Sequence, residues 1–357
     1  MGAAAPTTVI DSDVHERLSG TDVLLPYLAK PWHSYVTDYD FKSGYIKGGF
    51  PYALKGGDRL DWSTKYGPAA VSVEAMRHHL FEESDTSLAI LNGFFHFSAM
   101  AASFEFATAL ASAYNDWQIA EWLDKEPRLR GSVHVVAADP ASAVREIDRV
   151  AAHPGMVQVF MPTVGDRQYG DPYYHPIYEA AARHDLVVTF HHGAPTPTLL
   201  GYPRYFAEWH VLAAPQAAMS QLTSLVFNGV LDRFDGLKFL FLECSLGWLP
   251  WHMRRMDENL REFSTEVPWV RRLPSEAVRA SVRLSTQPMG ELKPSEYKRL
   301  VEELETDELF LFSSDYPHYD ADDAAKTFPE SLPDAMREAV LFRNALATFP
   351  RLSGVTA

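Results

Sequence analysis

The sequence predicts an α/β fold built as a single (β/α)8 TIM barrel that spans residues 1–357. Eight short apolar runs alternate with longer segments of helical periodicity. This alternation is typical of a parallel sheet whose strands are joined by crossover helices. The runs are apolar on both faces, as strands covered on both sides should be. Polar residues directly follow several runs, at the position where barrels of this kind carry their functional residues.

The predicted strands are short and rich in β-branched and aromatic residues. They cover Thr8–Val14, Ser87–Gly93, Gly131–Ala137, Met156–Met161, Leu186–His191, Leu237–Glu243, Val282–Thr286 and Leu309–Ser314. The predicted helices cover Ala107–Leu123, Pro140–Ala152, Pro176–His184, Pro215–Phe234, Trp248–Phe263, Pro294–Leu304 and Pro333–Thr348. Most of them open with a proline, which suits the first turn because the N–H there has no partner within the helix.

Two segments exceed what a minimal barrel needs. Residues 20–80 form a long insertion after the first strand, and residues 192–212 form a Pro- and aromatic-rich lid loop after the fifth. Loops of this length in a compact domain are usually lids or subunit contacts. Six aromatic residues of the insertion could wall an apolar pocket or cover a dimer contact; they are Trp32, Tyr35, Tyr39, Phe41, Tyr45 and Phe50. We expect an oligomer, formed with an identical chain or with a paralogue.

Composition excludes several classes of function. The net charge is -15, and no cluster of Lys and Arg supplies the basic face that nucleic-acid binding requires. No apolar stretch is long enough to cross a bilayer, and the N-terminus has neither the basic nor the apolar region of a signal peptide. The single cysteine, Cys244, excludes an internal disulfide framework. We expect a cytoplasmic protein that acts on a small molecule.

The first strand ends in a motif that suits a metal ion. Side chains alternate along a strand, so Asp11, Asp13 and His15 point the same way. Asp13 and His15 can therefore both face the barrel axis and bind one cation. An alternative without metal is that Asp13 caps a turn and His15 is a solvated loop residue.

The fifth and sixth strands also end in residues that can bind a metal. His191 closes an apolar strand and is well placed as a neutral imidazole ligand, although a buried, hydrogen-bonded histidine is the alternative. Glu243 ends the sixth strand, where an unpaired carboxylate would be costly to bury. It needs a metal or an ion pair, for which Arg254 or Arg255 is available.

The last strand ends in Ser313-Ser314-Asp315-Tyr316-Pro317-His318. Asp315 can be both a metal ligand and a general base, and His318 is near enough to join it in catalysis. Any one of these strand ends is ambiguous by itself. Their occurrence together after strands one, five, six and eight predicts a metal centre at one end of the barrel.

This pattern resembles the amidohydrolase superfamily, in the branch that includes aminocarboxymuconate-semialdehyde decarboxylase and γ-resorcylate decarboxylase. The resemblance extends from the first-strand motif to Phe342-Arg343-Asn344-Ala345, which is similar to the family's final helix. The family places metal ligands as His-x-His after strand one, as His after strand five, often as His after strand six, and as Asp after strand eight. Carried onto this sequence, these positions are Asp13, His15, His191, Glu243 and Asp315.

The sequence departs from the family pattern in two places. Asp13 replaces the first histidine of the family motif, and Glu243 replaces the histidine after strand six. Strand four ends in Val159-Phe160-Met161-Pro162, so no lysine is present there to be carbamylated and to bridge two metals. If a second ion binds, Glu243 or Asp13 must bridge it. His210 and His318 are then the spare imidazoles, although His210 could equally be an ordinary residue of the lid.

The expected ligand set of imidazoles and carboxylates favours Fe or Mn over Zn, with one or two ions bound. The leading interpretation is a dinuclear non-haem iron monooxygenase, because carboxylate ligands stabilise higher oxidation states of iron and relatives of this kind exist in the superfamily. One alternative is a hydrolase in which Asp315 takes a proton from metal-bound water, or a non-oxidative decarboxylase of a small carboxylic acid. A further alternative is an inactive metal-bearing partner of an active paralogue, against which the presence of Asp315 argues.

Overall fold

Eight parallel strands form one sheet in chain order. The structure is a computed structural model that describes residues 8–38, 59–62, 65–84, 86–93, 103–192, 204–289 and 292–355. The strands are β1 Ile10–Val14, β2 Leu88–Leu91, β3 Leu129–His134, β4 Met156–Pro162, β5 Val187–His191, β6 Phe239–Leu242, β7 Val282–Ser285 and β8 Phe310–Leu311. β8 returns to β1, since Ser12 N donates to Phe312 O at 3.0 Å and Val14 bridges to Tyr316. The predicted (β/α)8 barrel is confirmed.

Helices surround the barrel and lead from one strand to the next. The longer ones are Phe104–Gln118, Pro140–Val150, His175–Arg183, Phe206–Phe227, Leu249–Phe263, Pro274–Ser281 and Pro294–Leu304. Shorter helical segments are Thr21–Leu24, Lys30–Trp32, His33–Thr37, Leu60–Trp62, Val73–Met76, Arg77–Glu83, Ile119–Leu123, Pro172–Tyr174, Val230–Arg233, Ala324–Thr327, Asp334–Glu338, Ala339–Arg343, Asn344–Thr348 and Pro350–Leu352.

The helix after β5 begins earlier than predicted. Pro215 was expected at its first turn, but the helix runs from Phe206 to Phe227 and holds Pro215 inside. The Glu208 carboxylate starts the helix by accepting hydrogen bonds from the amides of Arg204 and Tyr205, at 2.8 and 3.2 Å. This end capping and the burial of the helix outweigh the loss of one hydrogen bond at the proline. The predicted lid is therefore helical from Phe206 onward, and its residues 193–203 lie outside the described part of the chain.

The described aromatic residues of the long insertion pack against the barrel's helices. The ring centroids of Trp32 and Tyr35 lie 5.4 and 4.9 Å from that of Phe106, on the helix that follows β2. These two residues attach the insertion to the barrel wall. The other four aromatic residues predicted to wall a pocket or cover a dimer contact lie outside the described residues, namely Tyr39, Phe41, Tyr45 and Phe50.

Alternate residues of the strands pack into two layers. On β6, Phe239 contacts the ring of Tyr178 on a surrounding helix, with centroids 5.4 Å apart. Leu240 and Leu242 belong instead to a buried cluster that joins residues of β1, β2, β4, β5 and β8. Strands from opposite sides of the sheet meet only inside a closed barrel, so this cluster fills the barrel interior.

Among the helices in the described part of the chain, none is both long and apolar enough to span a bilayer. The expectations of one domain over residues 1–357, of an oligomer and of a cytoplasmic location stay predictions.

A buried ion pair stabilises the opposite end of the barrel, just before β3. Glu126 is 3% exposed, and its carboxylate accepts hydrogen bonds from Arg128 Nε at 2.8 Å and Arg77 Nε at 2.7 Å. The hydrogen bonds from Arg128, and then those from Arg77, lower the pKa of Glu126 from 4.5 to about 2, although burial opposes this shift. The ionised form is therefore bound more tightly in the folded chain than in the unfolded one.

We predict that Glu126→Gln destabilises the protein by about 2 kcal/mol at neutral pH, less than the pKa shift alone implies because both arginines are partly exposed to solvent. A depressed carboxyl pKa adds stability that is complete above pH 4.5 and is lost as the pH falls toward 2. Urea unfolding at several pH values measures this. The difference between wild type and variant should shrink below pH 4.5, and a constant difference would contradict the assignment.

Candidate metal centre

Four buried side chains meet at the carboxyl ends of β1, β5 and β8. Asp13, His15, His191 and Asp315 each offer one ligand atom, and these atoms all lie within 4.8 Å of one another. His15 Nε2 lies 2.9 Å from Asp315 Oδ1 and 3.4 Å from Asp13 Oδ1. His191 Nε2 lies 3.4 Å from Asp13 Oδ2. Two imidazoles and two carboxylates can therefore surround one cation.

The seam between β8 and β1 positions two of these residues. Asp315 N donates to Asp13 O at 3.0 Å, which ties the two backbones together at the site. Asp11, which the strand alternation placed on the same face as Asp13, is not one of the four. Its Oδ1 accepts hydrogen bonds from the amides of Ser314 and Asp13, at 2.9 and 3.2 Å. These hydrogen bonds show that the carboxyl group of Asp11 serves the seam. Burial raises its pKa to about 7.

Two acidic residues near the cluster have left-handed backbones. Glu243, directly after β6, has a φ of 52°, and Asp315 has a φ of 61°. L-residues other than Asn and Asp rarely adopt this conformation, so the backbone of Glu243 costs about 1–3 kcal/mol, whereas Asp315 tolerates it more easily. The strain turns the chain sharply at the strand ends. Strain of this kind concentrates at functional sites, where the surrounding structure maintains it.

A carbonyl group sets the tautomer of His15. His15 Nδ1 donates to Gly93 O at 2.6 Å, so Nδ1 carries a proton and Nε2 is directed at Asp13 and Asp315. This is the arrangement in which metal-binding histidines are usually held. Without a cation, burial would lower the pKa of His15, but Asp13 and then Asp315 outweigh it and raise the pKa to about 9. The position between the carboxylates therefore attracts positive charge.

The carboxylates around the centre repel one another. Burial, and then Asp315 and Asp13, raise the pKa of Glu243 well above its usual range. The Asn92 amide donates to Asp13 Oδ1 at 2.8 Å, whereas Asp13 Oδ2 accepts no hydrogen bond from the described residues. A buried carboxylate oxygen without a hydrogen bond is costly. A divalent cation would bind this oxygen and neutralise the cluster, so the residues present fit a metal ion.

The structure places the other predicted site residues at different distances from the cluster. His318 Nδ1 lies 2.6 Å from Asp315 Oδ2, and its ring centroid lies 5.0 Å from that of His15. Glu243 Oε2 lies 3.9 Å from His191 Nε2, at the edge of the cluster. His210 is not one of the four clustered residues, and its Nε2 lies 3.7 Å from Asp320 Oδ2. The roles of all these residues as ligands or catalysts stay predictions.

Two other residues near the site have partners of their own. Arg254, a possible ion-pair partner of Glu243, pairs with Glu303 instead. His192 directly follows His191 in the chain. Its ring lies 4.7 Å from that of Trp209, and it is not one of the four clustered residues.

Sequence reasoning missed residues that support the site. Asn92 and Gly93 directly follow the apolar run of β2 and contact Asp13 and His15, respectively. The same rule that selected the other strand ends would have found Asn92. Glu16 accepts hydrogen bonds from Gly93 N and Tyr114 Oη. It could not be found by this rule, because these partners come from distant parts of the chain.

Known proteins resemble this chain in sequence and in fold. The profile of the family described as Amidohydrolase matches residues 10–351. The chain belongs to this amidohydrolase family. A γ-resorcylate decarboxylase from Polaromonas sp. strain JS666 is 26% identical over 258 residues, which are 68% of this chain and 77% of that protein.

Solved structures share the fold over nearly the whole chain. A dihydroxybenzoic acid decarboxylase from Polaromonas sp. JS666, solved with bound manganese and the inhibitor 2-nitroresorcinol, has a TM-score of 0.72 at 19% identity and covers 98% of each chain. A 5-carboxyvanillate decarboxylase from Sphingomonas paucimobilis has a TM-score of 0.70 at 21% identity and covers 96% of this chain and 99% of that one. Together with the family match and the ligand cluster, these findings identify a metal-dependent enzyme of the amidohydrolase fold.

We predict that His191→Asn raises the Kd for Mn²⁺ more than about 100-fold, because it removes one of the four proposed ligands. His192→Asn is the matched control, since it alters the next buried histidine along the chain. It should leave the Kd within about twofold of wild type. Free Mn²⁺, measured by electron paramagnetic resonance, gives both constants. Equal effects of the two substitutions would contradict the assignment of His191.

Proposed function

We propose that the protein is a metal-dependent, non-oxidative decarboxylase of a small hydroxylated aromatic carboxylic acid. The observation that carries the proposal is the convergence of Asp13, His15, His191 and Asp315 on one position. The similar proteins named above are decarboxylases of hydroxybenzoic or related acids. They favour this alternative over the dinuclear iron monooxygenase that was the leading interpretation of the sequence.

The metal we propose is a single divalent ion, with manganese favoured over zinc. The carboxylates of Asp13 and Asp315 are hard oxygen ligands, and such ligands suit Mn²⁺ better than an all-imidazole set would. A similar structure contains manganese, which agrees with this preference. When bound, the ion would orient the substrate's oxygen atoms and stabilise the negative charge that develops on them.

The proposed reaction replaces a carboxylate with a proton. A proton is added to the ring carbon, the bond from that carbon to the carboxylate breaks, and CO₂ leaves without any net oxidation. Asp315 is the group we assign to proton transfer. His318, 2.6 Å from Asp315 Oδ2 and partly exposed, would supply the proton from solvent. His15 and His318 lower the pKa of Asp315 although burial would raise it, with His318 contributing most. The lowered pKa keeps Asp315 ionised, so Asp315 would hold a proton only briefly, between its arrival from His318 and its transfer to the ring carbon.

An aromatic wall beside the cluster suits a flat substrate. The ring of Phe160 lies 5.5 Å from that of His191 and 4.8 Å from that of His134, measured between centroids. His134 and His191 end β3 and β5, Phe160 lies on β4 between them, and all three rings are buried. Aromatic rings pack favourably in offset or tilted arrangements at these separations. We propose that this wall borders the substrate's ring.

A second candidate is the dinuclear oxygenase, which one observation favours. Glu243 Oε2 is 3.9 Å from His191 Nε2, and Asp320 lies beside His210. Glu243, His210 and Asp320 could hold a second ion. The same site could also support hydrolysis, with Asp315 as the base. An inactive partner subunit is less well supported, because all four proposed ligands and the Asp315–His318 pair are in place.

The proposal predicts CO₂ release without oxygen. The Mn²⁺-loaded protein should convert at least one of 2,6-dihydroxybenzoate, 2,3-dihydroxybenzoate and 5-carboxyvanillate under anaerobic conditions, with one CO₂ formed per ring product. Asp315→Asn should lower kcat by about 10²–10⁴-fold, since it removes the proton-transfer group. Glu126→Gln, at the far end of the barrel, is the control and should retain kcat. Oxygen uptake coupled to a reductant, with no CO₂, would instead support the oxygenase.

The proposal also predicts one Mn²⁺ per chain. Glu243→Gln should keep this stoichiometry, because Glu243 is outside the group of four that we assign as ligands. Elemental analysis after gel filtration in defined Mn²⁺ measures it. Two ions per wild-type chain, falling to one in Glu243→Gln, would favour the dinuclear alternative.

A further inference from the structure

We infer that Glu16 is a positioning residue that holds the metal ligand His15 in place through Gly93. The inference rests on the metal centre of the proposed function but not on the reaction catalysed there. Glu16 directly follows His15 in the chain, and its side chain is fully buried. A buried carboxylate needs several hydrogen bonds to offset the loss of water, so its partners show what it stabilises.

Three donors converge on the Glu16 carboxylate. Its Oε2 accepts from Gly93 N at 2.9 Å. Its Oε1 accepts from Tyr114 Oη at 2.6 Å and from Gln118 Nε2 at 2.5 Å. Tyr114 and Gln118 belong to the helix Phe104–Gln118, which therefore anchors one oxygen while the other holds Gly93. None of the three donors carries a charge, so the carboxylate acts here as an acceptor of oriented hydrogen bonds.

Gly93 connects Glu16 to the metal ligand. Its N–H donates to Glu16, and its carbonyl accepts the hydrogen bond from His15 Nδ1 at 2.6 Å. The φ of Gly93 is 60°, and a Cβ at this position would overlap Tyr114 Oη. Both the backbone conformation and the available space therefore require glycine.

A glycine in a loop rotates easily unless both of its polar groups are held. Glu16 fixes the amide of Gly93, and this sets the direction in which its carbonyl meets His15. If the carbonyl turned away, the His15 ring would lose both its tautomer and its orientation. Partners of this kind typically change metal affinity by about 10–100-fold.

The preceding residue orients the other ligand of β1 in a parallel way. Asn92 Oδ1 accepts from Gln158 Nε2 at 2.6 Å and from Ser132 Oγ at 2.8 Å. The Asn92 NH₂ must then face Asp13, to which it donates at 2.8 Å. Two consecutive residues at the end of β2 thus orient two proposed ligands, and Glu16 holds the second of these residues.

The test compares Glu16→Gln with Glu126→Gln, which changes a buried glutamate at the opposite end of the barrel. Glu16→Gln keeps the side-chain length but has only one acceptor oxygen for three donors. It should raise the Kd for Mn²⁺ by at least about tenfold. Glu126→Gln should lower thermal stability but leave the Kd within twofold of wild type. Free Mn²⁺ is measured by electron paramagnetic resonance below the melting temperature of each variant.

A spectroscopic measurement separates positioning from general destabilisation. Electron spin echo modulation of bound Mn²⁺ should show coupling to imidazole nitrogen from two histidines in wild type and in Glu126→Gln. In Glu16→Gln one of these couplings should change. If Glu16→Gln does not fold, Tyr114→Phe provides the test, because it removes one donor to Glu16 and spares Gly93. Its Kd should also rise more than twofold.

The inference is overturned if the Kd and the nitrogen couplings of Glu16→Gln, or of Tyr114→Phe in its place, match those of wild type. This outcome is distinct from a failure of the proposed reaction. If Glu16→Gln binds Mn²⁺ more weakly but the wild-type protein releases no CO₂, the proposed decarboxylase is refuted and the role of Glu16 is retained. Loss of Mn²⁺ binding in wild type would refute both.

Discussion

Burial of like charges at the mouth of the barrel is the constraint on which the rest of the structure depends. Asp13 and Asp315 are buried within reach of the same two imidazoles, and Glu243 lies at their edge. In water these carboxylates would be separated and solvated. Inside the protein a positive charge must compensate for them, which a proton on His15 or a metal ion can provide. The fold brings the carboxylates together. Because their negative charge must be compensated, the position between them favours a cation.

Closure of the barrel and assembly of the site are the same event. The seam between β8 and β1 contains the hydrogen bonds from Ser314 to Asp11 and from Asp315 to Asp13. Asp13 and Asp315 are more than 300 positions apart in the sequence, and the seam alone places their backbones in contact. The left-handed backbone of Asp315 then turns its side chain into the site. Barrel stability and site geometry are therefore expected to be coupled.

Support for the site comes from the neighbouring strands. The end of β2 holds Asp13 through Asn92 and His15 through Gly93, and both supporting residues are fixed in turn by buried polar groups. Polar networks in a barrel interior are favourable only if their members are satisfied. Asn92 can hold Asp13 in one orientation because Gln158 and Ser132 occupy its oxygen. Rigidity of the ligands thus arises from several layers of hydrogen bonds.

The sequence by itself determined the barrel and predicted six metal-binding side chains, four of which the structure brings together. Apolar runs with regular spacing specify buried parallel strands, and parallel strands carry their final residues to one end. His15, His191 and Asp315 could be named for this reason alone. Only the tertiary structure decided that His210 pairs with Asp320 and that Glu16 reaches Gly93 and Tyr114. Such contacts depend on how loops and helices pack across the barrel, and a local sequence pattern carries no information about partners that lie far away in the chain.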